Sequence, residues 1–197
     1  MAKKASVAGK RKLSPAKKTT AVKKKRTVKK VVVKSKRPSK PKKKVLTTPK
    51  GYSSVTPYLI IDKASKAIDY YQKIFGAKVV MRMEKPGGKI GHAELKIGDS
   101  KIMLADEFPD MGACSPRAFG GCAVSIHLYT KNVDDVVKRA VAGGAKLLMP
   151  VMDMFYGDRS GSIEDPFGHR WYISTHIEDV TPATMRKRAA ELYAKKK

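Results

Sequence analysis

The first 50 residues contain no Asp and no Glu, and no aromatic residue occurs before Tyr52. Those 50 residues hold 21 Lys or Arg, so they carry +21 of the chain's formal +26. With no acidic partners the charges repel. With only scattered Ala and Val, too little apolar surface exists to offset the entropy of ordering. Pro15, Pro38, Pro41 and Pro49 further oppose a long helix. Residues 1–51 are therefore expected to be a polycationic tail, disordered until bound.

Other absences narrow the class. No apolar run approaches the ~18–20 residues that span a bilayer. No apolar stretch follows the N-terminal lysines, which excludes a secretory signal, and the Arg- and Ser-rich amphipathic spacing of an organellar transit peptide is missing. Cys114 and Cys122 are the only cysteines, which excludes a disulfide framework. Two free thiols in a reducing compartment are expected, with a single bridge as the alternative. The expected location is cytoplasmic: nucleoid-associated in a bacterium, nuclear in a nucleated cell. No membrane partner is expected.

What the tail has is lysine in pairs and triplets. Lys17, Lys18, Lys23, Lys24, Lys25, Arg26, Lys29, Lys30, Lys42, Lys43 and Lys44 are the expected nucleic-acid contacts. Lysines near phosphates release condensed counterions without a fixed geometry. No interleaved aromatics offer base stacking, so DNA or RNA would be bound without sequence preference. Ser14-Pro15-Ala16-Lys17 and Thr48-Pro49-Lys50 resemble the Ser/Thr-Pro-Lys elements of linker-histone tails.

Beyond the tail the chain repeats itself. Gly76-Ala77-Lys78-Val79-Val80-Met81 recurs as Gly144-Ala145-Lys146-Leu147-Leu148-Met149, an offset of 68 (144 − 76). Each copy follows a helical pattern: Ala64, Ala67, Ile68, Tyr71, Ile74 and Phe75, then Val133, Val136, Val137, Ala140 and Val141. Strand-type stretches precede the helices at Val55–Ile61 and Cys122–Thr130. Three strands follow each: Ala77–Glu84, Lys89–Ile97 and Lys101–Asp106, then Ala145–Met152, Gly161–Glu164 and His169–Thr175, with turns at Pro86-Gly87-Gly88, Gly98-Asp99 and Asp165-Pro166-Phe167-Gly168. The fold class is α+β: two βαβββ modules, about 53–106 and 122–176, forming an incomplete barrel with helices outside and a cavity between the sheets. The domain is expected over 52–180. The 15 residues Glu107 to Gly121 join the modules and are long enough to cover a pocket mouth. A C-terminal helix with a basic end is expected over 181–197, with Thr181 as N-cap, Pro182 in its first turn and Met185, Ala189 and Leu192 as an apolar stripe.

Thr56-Pro57-Tyr58-Leu59, Ala67-Ile68-Asp69-Tyr70-Tyr71, Phe75-Gly76, Tyr156-Gly157-Asp158-Arg159 and Asp165-Pro166-Phe167-Gly168-His169-Arg170-Trp171 resemble the vicinal oxygen chelate superfamily. That superfamily includes glyoxalase I, ring-cleaving dioxygenases and bleomycin-binding proteins, and the resemblance is greatest to its PhnB-like branch. It implies the doubled fold, a small-molecule ligand and a homodimer, sometimes with exchanged halves. Glyoxalase-type members hold a divalent metal through four side chains, where the ion acts as a Lewis acid. Carried over, those positions are Thr56, Met103, Val124 or Ser125, and Tyr172. None is His, Glu, Asp or Gln, and the neighbours Ile102, Leu104, Trp171 and Ile173 do not restore the set. No cofactor is expected, and a divalent metal only at a non-standard site. His92, Glu94 and His127 form the candidate for one, against a solvated Glu94 and two hydrogen-bonded rings.

The expected ligand-binding residues are Thr56, Tyr58, Met103, His127 and Tyr172; no catalytic residue is assigned. His169 is expected to order its hairpin, Trp171 to sit in the core, and Arg159 to pair with Asp158 or to contact an anion. Cys122 has no base nearby in sequence to make it a nucleophile. Three readings stand. One is a metal-free small-molecule-binding protein tethered to nucleic acid by its tail. The second is a glyoxalase-type lyase or isomerase using His127, His92 or Tyr172. The third is a nucleoid-associated architectural protein whose domain dimerises so that two tails bridge DNA.

Overall fold

The computed structural model describes residues 45–194. The tail lysines named above and the basic end at Lys195–Lys197 lie outside them. The first module comprises β1 (Tyr58–Ile61), α1 (Ala64–Phe75), β2 (Lys78–Glu84), β3 (Ile90–Ile97) and β4 (Ser100–Asp106). Two single 3-10 turns, Pro109–Met111 and Pro116–Phe119, occupy the linker. The second module comprises β5 (Ser125–Tyr129), α2 (Val133–Ala142), β6 (Lys146–Asp153), β7 (Asp158–Glu164) and β8 (Arg170–His176), and α3 (Pro182–Ala194) follows.

Each module forms a four-stranded mixed sheet with the same order: β1-β4-β3-β2 in the first, β5-β8-β7-β6 in the second. In each, the strand before the helix pairs in parallel with the module's last strand, and the other pairings are antiparallel. The two sheets do not close into a barrel.

The helices form where the apolar spacing is 3–4 residues, and that stripe is what they bury. In α1, Ala64, Ala67, Ile68, Tyr71 and Ile74 are buried. In α2, Val133, Val136, Val137 and Ala140 are, whereas Val141 is exposed. Gly76 caps α1 in the left-handed region (φ 66°), which glycine enters without steric cost. In the second copy α2 stops at Gly143, and the left-handed residue is Gly144 (φ 98°).

Each helix start is also held from afar. The Ala64 amide donates to Asp106 Oδ1 (2.8 Å) and the Val133 amide to Thr175 Oγ1 (3.0 Å). Asp106 and Thr175 stand 42 residues beyond their helix starts in both copies, so the modules use one capping position with two different side chains. Asp106 also accepts from the Ile90 amide (2.6 Å), which sets the start of β3.

One apolar core gathers both helices and the helix-covered faces of both sheets. Trp171 of β8 is buried in it as expected, its ring 4.6 Å from Phe75 and 5.5 Å from Tyr71, both on α1. The opposite, bare face of each sheet is not closed over the other. Tyr58 on the first bare face remains 48% exposed and Tyr172 on the second 42%. In α3, Thr181 Oγ1 accepts from the Thr184 amide (3.2 Å). Met185 and Ala189 are only half-buried and Leu192 is exposed, so the apolar stripe has no core beneath it.

Candidate functional site

Register fixes which side chains share a bare face. In the first sheet Tyr58 lies opposite Met103, Met103 opposite Glu94 and Glu94 opposite Met81. In the second, His127 lies opposite Tyr172, Tyr172 opposite Ser162 and Ser162 opposite Met149. The two rows are counterparts, so Tyr58 corresponds to His127 and Met103 to Tyr172. Two residues before Tyr58 and His127, Thr56 just ahead of β1 corresponds to Ser125 at the start of β5, which selects Ser125 over Val124 in the carried-over set.

The five expected ligand-binding residues therefore fall into two groups. Thr56, Tyr58 and Met103 belong to the first bare face, His127 and Tyr172 to the second. The Tyr58 ring stacks on His92 (5.6 Å), and the His127 ring stacks on Tyr172 (6.3 Å) and tilts against Tyr129 (4.7 Å). Among the described residues no ring contact or hydrogen bond joins the two groups. His127 does not meet His92 and Glu94, and no three His, Cys, Asp or Glu side chains there are placed to hold a metal ion.

The first bare face is partly covered by the segment entering it. Thr47, Pro49, Tyr52, Ser53 and Thr56, with Glu94 and Met103, line a cavity of about 570 Å3. Glu94 is not the solvated strand residue of the alternative reading; it is only 7% exposed. Lys101 Nζ lies 3.5 Å from Glu94 Oε2 and 3.7 Å from the centre of the Tyr52 ring. The Tyr52 phenol beside the carboxyl, aided by Lys101, holds Glu94 below the usual carboxylate range, and the carboxylate raises the Tyr52 phenol in turn. Sequence reasoning missed Tyr52 because a residue outside any strand gives no periodic signal.

On the second bare face, buried Asp158 accepts from the Tyr129 hydroxyl (3.0 Å) and lies 2.7 Å from His176 Nδ1. His176 Nε2 lies 3.0 Å from Asp179. The two carboxylates, Asp158 first, raise the His176 pKa above the ordinary imidazole value. Arg159 does not pair with its neighbour Asp158. It points to the helix side, where it pairs bidentately with Asp134 (2.8 Å) and also with Asp153 (2.8 Å). Successive strand residues face opposite ways, which is why adjacent Asp158 and Arg159 part company.

His169 orders its turn through its backbone, whose amide donates to Asp165 Oδ1 (2.9 Å). Its imidazole runs elsewhere. Nδ1 lies 4.0 Å from the Cys122 sulfur, and Nε2 is buried with no hydrogen-bond partner. The histidine that Cys122 lacked in sequence is thus supplied 47 residues away. Burial lowers the His169 pKa, against the opposing pull of the Asp165 carboxylate and a backbone group of Ile60. Both cysteines are free thiols in the structure.

Residues 53–173 match the Glyoxalase/Bleomycin resistance protein/Dioxygenase superfamily, and the chain belongs to it. Among its relatives is the uncharacterized protein Mb0911c of Mycobacterium bovis, 38% identical over 130 residues, 64% of this chain and 86% of that protein. The crystal structure of TioX from Micromonospora sp. ML1 is similar at 25% identity and a TM-score of 0.50, covering 64% of this chain and 99% of TioX. The PhnB protein from Bacillus cereus shares the fold at 19% identity and a TM-score of 0.50, covering 62% of this chain and 99% of its own. No described helix is long and apolar enough to cross a membrane.

Proposed function

We propose that this protein is a small-molecule-binding member of the superfamily that works without the superfamily's divalent metal and is held on nucleic acid by its basic N-terminal segment. The observation that carries the reading is the donor chemistry of Thr56, Met103, Ser125 and Tyr172. Two hydroxyls, a thioether and a phenol do not fit a divalent ion that prefers imidazole and carboxylate, so no step is routed through one. The same side chains suit a bound organic molecule: Tyr58, His127 and Tyr172 offer stacking faces, and Met103 an adaptable apolar wall.

The two bare faces share strand order and row pattern, and both expose aromatic and Met side chains. A second copy is the occupant that fits them, because the first face of one chain then meets the second face of its partner. That pairing brings Tyr58 and Met103 opposite His127 and Tyr172 and encloses the ligand between two chains.

Two measurements on the full chain test the reading. One is retention on DNA and RNA across a salt series, beside a variant lacking residues 1–44. Steep loss of retention with salt, and loss of retention in the variant, is the expected result; equal retention of the variant sinks the tether. The other is metal content after equilibration with Zn, Mn, Ni and Fe(II) and removal of loose ions. One tightly held ion per chain, lost in His127→Ala, would overturn the metal-free reading.

A further inference from the structure

The segment entering the first bare face has a built turn but few anchors. Across Pro49-Lys50-Gly51-Tyr52 the Tyr52 amide donates to the Pro49 carbonyl (3.1 Å), and Gly51 in the third position sits at φ 82°, a conformation suited to glycine there. The turn sets the Tyr52 ring under the Lys101 ammonium (3.7 Å), and Lys101 reaches on to Glu94 (3.5 Å). A Cβ on Gly51 would already touch Lys101 Cε at 3.9 Å. Met103 lines the cavity that the segment covers. Yet the first backbone hydrogen bond from residues 45–57 to the sheet runs from the Met103 amide to the Pro57 carbonyl (2.8 Å), among the described residues. Upstream, Val45 and Leu46 are exposed. Residues 47–56 are thus held on the sheet by side chains alone, and such segments open locally at low cost. The second module has no equivalent holder. By the paired rows, Gly121 stands where Tyr52 does, Arg170 where Lys101 does and Ser162 where Glu94 does. The match to the superfamily begins at residue 53, after Tyr52.

We propose that residues 47–56 are an autoinhibitory strap: in the single chain they occupy the part of the first bare face, around Met103 and Glu94, that the second face of another copy must cover. This rests on the second copy proposed above. The two occupants exclude each other, because Met103 cannot lie both beneath the strap and opposite Tyr172 of another copy. Pairing therefore requires the strap to leave, and leaving breaks the contact of the Lys101 ammonium with the Tyr52 ring, an attraction large enough to shift the balance. The strap so sets the concentration at which copies pair and the ligand site is completed.

The test pairs each strap-free chain with one that keeps the strap: Tyr52→Ala with the native chain, and a variant lacking residues 1–52 with one lacking residues 1–44, which removes the tail charge from both members of the second pair. Tyr52 lies outside the core, so Tyr52→Ala should fold. Coupling of glycinamide to Glu94 by a water-soluble carbodiimide, in dilute protein and located by mass spectrometry, reads the strap; sedimentation equilibrium reads self-association. In each pair the strap-free member should label faster at Glu94 and associate about tenfold more tightly, the scale of one lost cation–aromatic contact. Unchanged Glu94 labelling in both pairs overturns the strap. Faster labelling with unchanged or weaker association overturns the inhibition. Faster labelling with every chain monomeric at high concentration also overturns it, and identifies the second copy as the premise that failed.

Discussion

The Tyr71 hydroxyl on α1 donates to Asp165 Oδ2 at 2.7 Å, tying the first module to the turn that opens the last strand of the second. Trp171 Nε1 donates to the same oxygen (2.9 Å), while the Phe167 and His169 amides donate to Oδ1 (both 2.9 Å). Four donors surround one buried carboxylate, which is the condition under which burying such a charge is tolerable. Burial and the neighbouring carboxylate together raise the Tyr71 phenol well above its ordinary value, so it stays a donor.

Unequal costs follow for the two ends of that contact. Tyr71→Phe removes one donor and should lower the unfolding free energy by about 1–2 kcal/mol. Asp165→Ala strands four donors at once and should cost about 3 kcal/mol or more. Urea denaturation of the two variants decides. Equal losses would mean that the carboxylate does not organise the junction.

The shared capping position makes a second comparison. Asp106→Ala leaves the Ala64 and Ile90 amides without acceptors, each costing about 1–3 kcal/mol. Thr175→Val leaves only the Val133 amide, and about 1 kcal/mol is expected. α2 has a local substitute, since Asn132 already accepts from the Asp135 amide (3.1 Å), whereas Lys63 at the start of α1 makes no side-chain cap and sits at φ 64°. Denaturation midpoints that rank Thr175→Val as the worse variant would contradict this account.

The repeat Gly76-Ala77-Lys78 and Gly144-Ala145-Lys146, with the helical spacing between, made both modules legible because fold-level signals are local and periodic. Helix bounds came through to within a residue or two. Strand β1 begins at Tyr58 instead of Val55, and β5 at Ser125 instead of Cys122; apolar composition alone does not reveal where ladder pairing starts. The site was less legible. His169 and Cys122, and Tyr52 and Glu94, meet only through tertiary packing, and nothing in their local spacing announces it. The division of Thr56, Tyr58 and Met103 from His127 and Tyr172 depends on whether the two bare faces close over each other, which no pattern within one module encodes.

His176 predicts a pH dependence with a definite sign. Its folded pKa is raised by Asp158 and then Asp179, so the protonated form favours the folded state. That contribution is fully present below the unfolded value of about 6.5 and is lost as pH rises through the higher folded value. Unfolding free energy measured from pH 5.5 to 8.5 should fall across that window in the native chain, and His176→Gln should flatten the fall. An unchanged slope in His176→Gln would assign the dependence to another group.

The bare faces supply the last prediction, which separates two ways of pairing copies. Met83, opposite His92 on the first bare face, and Tyr172 on the second are both exposed. If the first face of one chain packs on the second face of its partner, Met83→Lys and Tyr172→Glu should each weaken self-association about tenfold or more, because each buries an unpaired charge. The double variant should recover part of the loss, since lysine and glutamate then lie on apposed faces. If each face instead packs on its own copy, two lysines meet across one interface and two glutamates across the other, and the double variant associates no better than the worse single one. Sedimentation equilibrium on the three variants distinguishes the arrangements. A native chain that stays monomeric at high concentration would remove the second copy from the proposal and leave each bare face to bind its ligand alone.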